Sequence, residues 1–400
     1  MYFPKDEYEA RWAAVYAELR QRGYDTAVIW QRTGGGYDRA GNVWYLANYA
    51  SHNIGQEQSE FGVGQAYAAL LLHAGNEPEL HVLRADYSEF ESIERRHLAI
   101  EQIVAHTDNL AAGLAAHLVR RGVEGRVAYV GDDFLPAQMY RPLLAGSPGI
   151  EWIPEEDLMY RLQSHASSRE QELYREIGDI SSRALTAFMD GLVRGDRQCD
   201  AAAEAGKIVI AAGGGFQRLG CHTGPRGDHA AWDYPLYGYS REAASRGEFV
   251  RAWVVGPVLE GYWIDPGRTS VCGLNPTSAQ RALIEEAITT VNRITDEVRP
   301  GRTPREVGAI VDATTDRSDL GIYGHGLSTF WLGPLIPAQP FEPDPGDTLF
   351  DADEPFRDGQ IFTSETFISE PGVGTAGFED VFIVREGGNE LLTTTPQLFW

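Results

Sequence analysis

Apolar residues recur at helical spacing over residues 6–22, where Tyr8, Trp12, Val15, Tyr16 and Leu19 share one face and Gly23 ends the run. A short, wholly apolar strand follows at 26–30. Strands are also expected at 66–73 and 80–83, parted by the turn-prone Gly75-Asn76-Glu77-Pro78. The segment Tyr45-Leu46-Ala47-Asn48-Tyr49 reads as a further strand. An amphipathic helix is expected over 108–121 and a strand over 126–130, whereas 132–149, punctuated by Pro136, Pro142 and Pro148, reads as loop. No glycine-rich phosphate loop interrupts this α/β alternation.

A second pattern begins near residue 163. Ser168-Arg169-Glu170-Gln171 has the spacing of a capping box, and Leu173, Ile177, Ile180, Ala184, Phe188 and Leu192 follow on one helical face. Gly195 stops that helix and another spans 197–212. The same grammar returns later. A long helix carries Leu283, Ile284, Ala287, Ile288, Val291 and Ile294, Pro300-Gly301 ends it, and Thr303-Pro304-Arg305-Glu306 opens the next. Helix, glycine turn and helix thus occur twice, each time ahead of strand-like sequence, which predicts a duplicated α/β domain. The expected boundaries are 1–163 and 164–400. The strand at 249–255 is expected to end in a turn at Gly256-Pro257.

Charge narrows the function classes. The 400 residues carry 58 acids against 34 bases, a net charge of −24. Such a chain lacks the electrostatic footprint of a nucleic-acid binder and is repelled by an anionic membrane surface. No apolar run is long enough for a transmembrane helix. Residues 1–7 lack the pattern of a secretory signal, and Cys199, Cys221 and Cys272 are too scattered for a disulfide framework or a thiolate zinc site. A cytoplasmic location is the expectation.

Four segments put one ionisable residue each in apolar, strand-like surroundings: Asp265 in Gly261–Thr269, His325 in Tyr323–Ser328, Glu365 in Ile361–Glu365 and Glu379 in Gly377–Val384. Singly, each has an ordinary reading as a turn aspartate, a loop histidine or an edge charge. Together they suggest one polar site, because an isolated buried carboxylate is costly unless paired, coordinated or protonated.

Their order carries a resemblance. Gly-Tyr-x-x-Asp-x-x-Arg-Thr at 261–269, Gly-His-Gly at 324–326, Phe-Thr-x-Glu at 362–365 and Phe-Glu-Asp-x-x-x-Val at 378–384 resemble the creatinase / aminopeptidase P / methionine aminopeptidase family. Asn42-Val43-Trp44-Tyr45-Leu46-Ala47-Asn48-Tyr49 resembles the creatinase-type N-terminal domain. The resemblance implies an α/β (α+β) protein, with a creatinase-type N-terminal domain ahead of a C-terminal pita-bread domain of pseudo-twofold duplication. In metal-dependent members two Asp, one His and two Glu hold two divalent ions. Carried over, the second Asp is Asp265, the Glu pair is Glu365 and Glu379, and the His is most simply His325.

Three departures matter. The position of the first Asp is Val254, or Trp253 with a one-residue shift, and 249–259 holds no carboxylate. The further histidine expected after His325 is Leu332. An aminopeptidase P alignment moves the ligand position to Thr329 or Phe330 instead. Where creatinase has a Glu two positions after the second Asp, this chain has Gly267.

The member implied is therefore creatinase-like or Xaa-Pro-peptidase-like with an incomplete metal site. It would hold no metal or a single divalent ion (Mn, Fe or Zn) at Asp265, His325, Glu365 and Glu379. The leading expectation is a hydrolase cleaving a C–N (amide or amidine-type) bond of a small polar metabolite, with His325, Glu365, Glu379, Asp265 and His222 as catalytic residues. His222 and His229 are both candidates for the substrate-facing histidine of the family, and His222 is preferred. Substrate contacts are expected from His52, Asn53, His229, Arg268 and Trp331. In creatinase-like homodimers an N-terminal-domain loop reaches the partner's site; here it would be 50–56. The alternatives are a mononuclear-metal peptidase or lyase of the same fold, and an inactive pita-bread binding module.

Overall fold

A computed structural model describes residues 2–33, 41–51, 58–59, 62–84, 97–223, 238–315, 321–339 and 352–399; within these, the side chains of 58, 59 and 331–333 are not described. The chain divides into two compact units, Met1–Leu162 and Gln163–Trp400.

The described helices are α1 (Lys5–Arg22), α2 (Gly41–Ala47), α3 (Leu110–Arg120), α4 (Ala137–Gly146), α5 (Asp157–Gln163), α6 (Ser168–Arg194), α7 (Gln198–Ala211), α8 (Ser278–Glu297) and α9 (Pro304–Asp312). The strands of the first unit are β1 (Thr26–Arg32), β2 (Gln58–Ser59), β3 (Gly62–Val63), β4 (Tyr67–His73), β5 (Glu79–Leu83), β6 (Gln102–His106), β7 (Gly125–Val130) and β8 (Ile150–Pro154). Those of the second are β9 (Arg218–Thr223), β10 (Phe249–Leu259), β11 (Tyr262–Ile264), β12 (Gly267–Val271), β13 (Ile322–Leu327), β14 (Trp331–Pro337), β15 (Ile361–Glu370), β16 (Gly374–Ile383) and β17 (Glu390–Leu391).

The first unit is built on a mixed sheet in the order β6-β5-β4-β1-β7-β8. Its core joins Val28, Trp30, Leu71 and Tyr129 of the sheet to Leu114 and Leu118 of α3 and Met139 and Leu143 of α4. Two expectations fail here. Tyr45–Tyr49 is not a strand: Gly41–Ala47 is helical, and Asn48 breaks the helix with φ 54°. The proline-rich stretch contains α4, with Pro142 inside it. Pro142 has no N–H for the carbonyl of Gln138, and Asn109 Nδ2 donates to that carbonyl instead, at 3.2 Å. A partner remote in sequence thus removes much of the cost of an internal proline.

The second unit carries a nine-stranded sheet whose main path runs β11-β10-β12-β16-β15-β13-β14, with β9 beside β10 and β17 beside β16. The pair α6–α7 precedes β9 and β10, and the pair α8–α9 precedes β13 and β14, so the duplicated grammar is present as helix pair then antiparallel strand pair. The capping box of α6 sits one residue earlier than expected: Ser167 caps, and Glu170 reaches back to its N–H. The box at Thr303 and Glu306 stands as read. Strand β10 does not turn at Gly256-Pro257. It continues to Leu259 with an irregularity between Pro257 and Leu259, and the chain reverses at Glu260-Gly261, both at positive φ.

Candidate active site

The four ionisable residues are brought together by sheet register. Trp253 of β10 lies opposite Gly267 of β12, Gly267 opposite Glu379 of β16, and Glu379 opposite Glu365 of β15. Directly paired residues share a face. Trp253, Gly267, Glu379 and Glu365 therefore form one row across four neighbouring strands. His325 enters from β13, its N–H donating to Thr363 Oγ1 at 3.1 Å and its Nδ1 3.2 Å from the carbonyl of Gly326. Asp265 sits in the short link between β11 and β12.

His325 Nε2 lies 3.4 Å from both Asp265 Oδ2 and Glu379 Oε1. All four ionisable residues are buried, and Asp265 Oδ1 and Glu379 Oε1 have no hydrogen-bond partner among the described residues. Burial, then the charge of Glu379, push the Glu365 carboxyl well above the usual carboxylate range. Burial, then the charge of Asp265, do the same to Glu379, against the indole N–H of Trp253. Burial alone would lower His325, but Asp265, Glu365 and the Gly326 carbonyl outweigh it and favour the imidazolium.

The side chain on the site side of β10 is Trp253, not Val254. Trp253 Nε1 donates to Glu379 Oε2 at 2.8 Å, and alternation along the strand turns Val254 to the opposite face. Of the two positions offered by spacing, Val254 and Trp253, it is the shifted one, Trp253, that faces the site. The indole lies flat over Gly267, where an added Cβ would fall 1.7 Å from Trp253 Cε2. On its other side it stacks on Phe367, with centroids 5.1 Å apart and planes at 17°. Phe367 in turn lies over Gly377, where a Cβ would fall 2.5 Å from the ring. Two glycines in neighbouring strands thus open a trough that a Trp–Phe stack fills.

Arg268, expected to touch substrate, is committed elsewhere. Its guanidinium pairs with Asp380 at 2.6 Å and donates to the carbonyls of Thr395, Pro396, Gly267 and Glu379. This pins the C-terminal segment to the sheet and removes Arg268 from the substrate contacts. His222 is buried on β9 opposite Arg251, on the same face as Trp253 and one strand away. His52, Asn53 and His229 lie outside the described residues, as does the side chain of Trp331. Sequence reasoning missed Tyr174 and Tyr262. Tyr174 donates to the Ser328 carbonyl and Tyr262 to Glu170, and their rings pack edge to face beside the end of β13.

A sequence profile of metallopeptidase family M24 matches residues 172–386, more than half of the chain. The chain belongs to metallopeptidase family M24. This M24 member is 27% identical over 289 residues to a probable dipeptidase PepE of Mycobacterium tuberculosis, covering 68% of this chain and 69% of that one. It is 23% identical over 277 residues to a Xaa-Pro dipeptidase of Pyrococcus furiosus, covering 69% and 74%. Among solved structures, dipeptidase PepE from Mycobacterium ulcerans superposes with a TM-score of 0.73 over 99% of this chain and 98% of that one, at 22% identity. The prolidase from Thermococcus sibiricus gives 0.75 over 98% of each, at 17% identity. The M24 member has the two-part pita-bread architecture and is a hydrolase of the creatinase / aminopeptidase P type.

The family implies divalent metal, and the donors can be tested against it. Asp265, His325 and Glu379 each offer one atom, all within 4.8 Å of one another, and two buried carboxylate oxygens there lack hydrogen-bond partners among the described residues. This set fits one cation. It does not fit two, because the indole N–H of Trp253 occupies Glu379 Oε2 and leaves that carboxylate one oxygen for an ion, with no further carboxylate from β10.

Proposed function

We propose that this M24 member hydrolyses a C–N bond, amide or amidine-type, in a small polar substrate at a centre that holds no more than one metal ion. The observation that carries the reading is the Trp253 indole lying against Glu379 where the row of site residues lacks a carboxylate. The names of the relatives, probable dipeptidase and Xaa-Pro dipeptidase, support a substrate of dipeptide size or smaller.

Asp265, His325 and Glu379 would hold the ion, which when bound polarises the scissile carbonyl and acidifies water. Glu365 and Glu379 face each other on adjacent strands, each raised by burial, so that one keeps a proton while the other is ionised. The ionised carboxylate takes a proton from the attacking water, and the protonated one gives its own proton to the leaving nitrogen, so the pair ends the turnover with its one proton exchanged between them. His325, held beside Asp265, offsets the negative charge as the imidazolium only when no ion is bound, and would ligate as the neutral ring when one is; His222 is the second candidate for proton transfer.

Purified protein tested on dipeptides, Xaa-Pro included, and on small amides and amidines should turn over at least one of them. Glu365→Gln should lower kcat by roughly 10²–10⁴-fold. Unchanged activity in Glu365→Gln, or a requirement for two metal equivalents that are both lost in His325→Ala, would overturn the reading. The unpartnered oxygens of Asp265 and Glu379 favour the one-ion form over the metal-free one. Chelator inhibition relieved by a single equivalent of Mn, Fe or Zn separates the two. The protein is further read as a cytoplasmic homodimer in which segment 50–56 completes the partner's site; sedimentation of the full chain tests the dimer.

A further inference from the structure

The first unit contains a second cluster of ligand-type side chains with no part in the reaction above. Glu79 and His81 lie two apart on β5, so both side chains project from one face of the sheet. His117 comes from the last turn of α3, and His106 ends the neighbouring strand β6. Glu79 Oε2 is 2.9 Å from His117 Nε2 and 3.8 Å from His81 Nε2, and the three ligand atoms lie within 4.8 Å of one another. A tetrahedral zinc site with bond lengths near 2.0–2.2 Å spaces its ligand atoms by roughly 3.3 Å, between the two measured separations.

Further observations point the same way. His81 is 0% exposed, yet its Nε2 has no hydrogen-bond partner among the described residues and faces Glu79. Its other nitrogen, Nδ1, is engaged by His106 Nε2 at 2.9 Å, the arrangement that fixes ring orientation and tautomer in metal-ligating histidines. His106 can sit there because residue 113 is glycine: a Cβ would fall 2.3 Å from its Nδ1. Arg121 binds Glu79 Oε1, leaving Oε2 toward the imidazoles. His117 is partly exposed, so an ion can enter from that side and take water as its fourth ligand.

We propose that Glu79, His81 and His117, with His106 supporting His81, form a binding site for a divalent transition-metal ion such as zinc that ties α3 to β5. The mixed N/O donor set suits zinc and its first-row neighbours rather than magnesium or calcium. For the ion to bind, the proton that His117 Nε2 shares with Glu79 in its absence passes to Nδ1 by exchange with water, and no other reactant is consumed.

The test is to strip the full chain with chelator, titrate it with zinc chloride, and count bound zinc per chain in wild type, His117→Gln and His325→Ala. The last variant removes a donor of the other centre. Wild type should bind one equivalent that His325→Ala retains and His117→Gln loses, and that equivalent should raise the melting temperature of wild type and His325→Ala only. Circular dichroism checks that His117→Gln is folded. If it is not, His106→Gln decides, with zinc affinity expected to fall about 10- to 100-fold. Equal zinc loading and equal melting shifts in wild type and a folded His117→Gln would overturn the proposal, as would unaltered affinity in His106→Gln.

Discussion

Trp253 and Gly267 act as one feature. The indole reaches Glu379 only by crossing the face of β12, and it can do so because the residue beneath it has no side chain. Gly267→Ala should therefore displace the indole, since the new Cβ would meet ring atoms held in place by Phe367. Overpacking of this kind costs about 1–3 kcal/mol, read as a lower denaturation midpoint, and the shifted Trp253 should lower kcat as well. An unchanged midpoint would mean that the stack is loose. Both residues are visible in the sequence as departures from the family pattern. Their connection is not, because they lie on different strands and meet only through antiparallel register. Val254 was the natural choice by spacing, and side-chain alternation corrects it.

Helices were legible wherever their ends carried local signals. The stop at Gly23, with φ 76°, and the box at Thr303 and Glu306 are set by residues within one turn. Helix α4 was illegible because the side chain that accommodates Pro142 comes from Asn109, the N-cap of α3. A similar long-range tie joins the end of α1 to α5. Arg22 donates to both oxygens of Asp157, at 2.8 and 2.9 Å, and also to Glu155 and Glu18.

Burial alone would raise Asp157, but the hydrogen bond and charge of Arg22, with Arg161, outweigh it and bring its carboxyl below 3.8. Its contribution is thus complete above the unfolded value and lost as pH falls through the lowered folded one. Asp157→Asn should cost about 1 kcal/mol at neutral pH, after discounting for solvent screening, and the difference from wild type should vanish on acidification below pH 3.8. Urea denaturation of both proteins across that range checks this, and a difference that persisted at low pH would contradict it.

At the scale of the whole chain, an excess of 58 acids over 34 bases leaves a net charge of −24 that the fold must accommodate. Among the described residues no helix is long and apolar enough to cross a membrane. Most acids lie outside the two ligand clusters and repel one another across solvent. Raising ionic strength from about 0.01 to 0.15 M shortens the screening length from roughly 30 to 8 Å and should raise the urea midpoint. A flat or falling midpoint would indicate that surface ion pairs outweigh the repulsion.

Fold class, the helix ends at Gly23 and Thr303, the duplicated helix pairs and the candidacy of Asp265, His325, Glu365 and Glu379 are readable from the chain, because periodicity, capping and motif spacing are properties of the sequence itself. The Trp253–Glu379 contact, the commitment of Arg268 to Asp380 and the convergence of Glu79, His81, His106 and His117 are not. Each depends on which strand lies beside which and in what register, and that is decided when the sheets assemble.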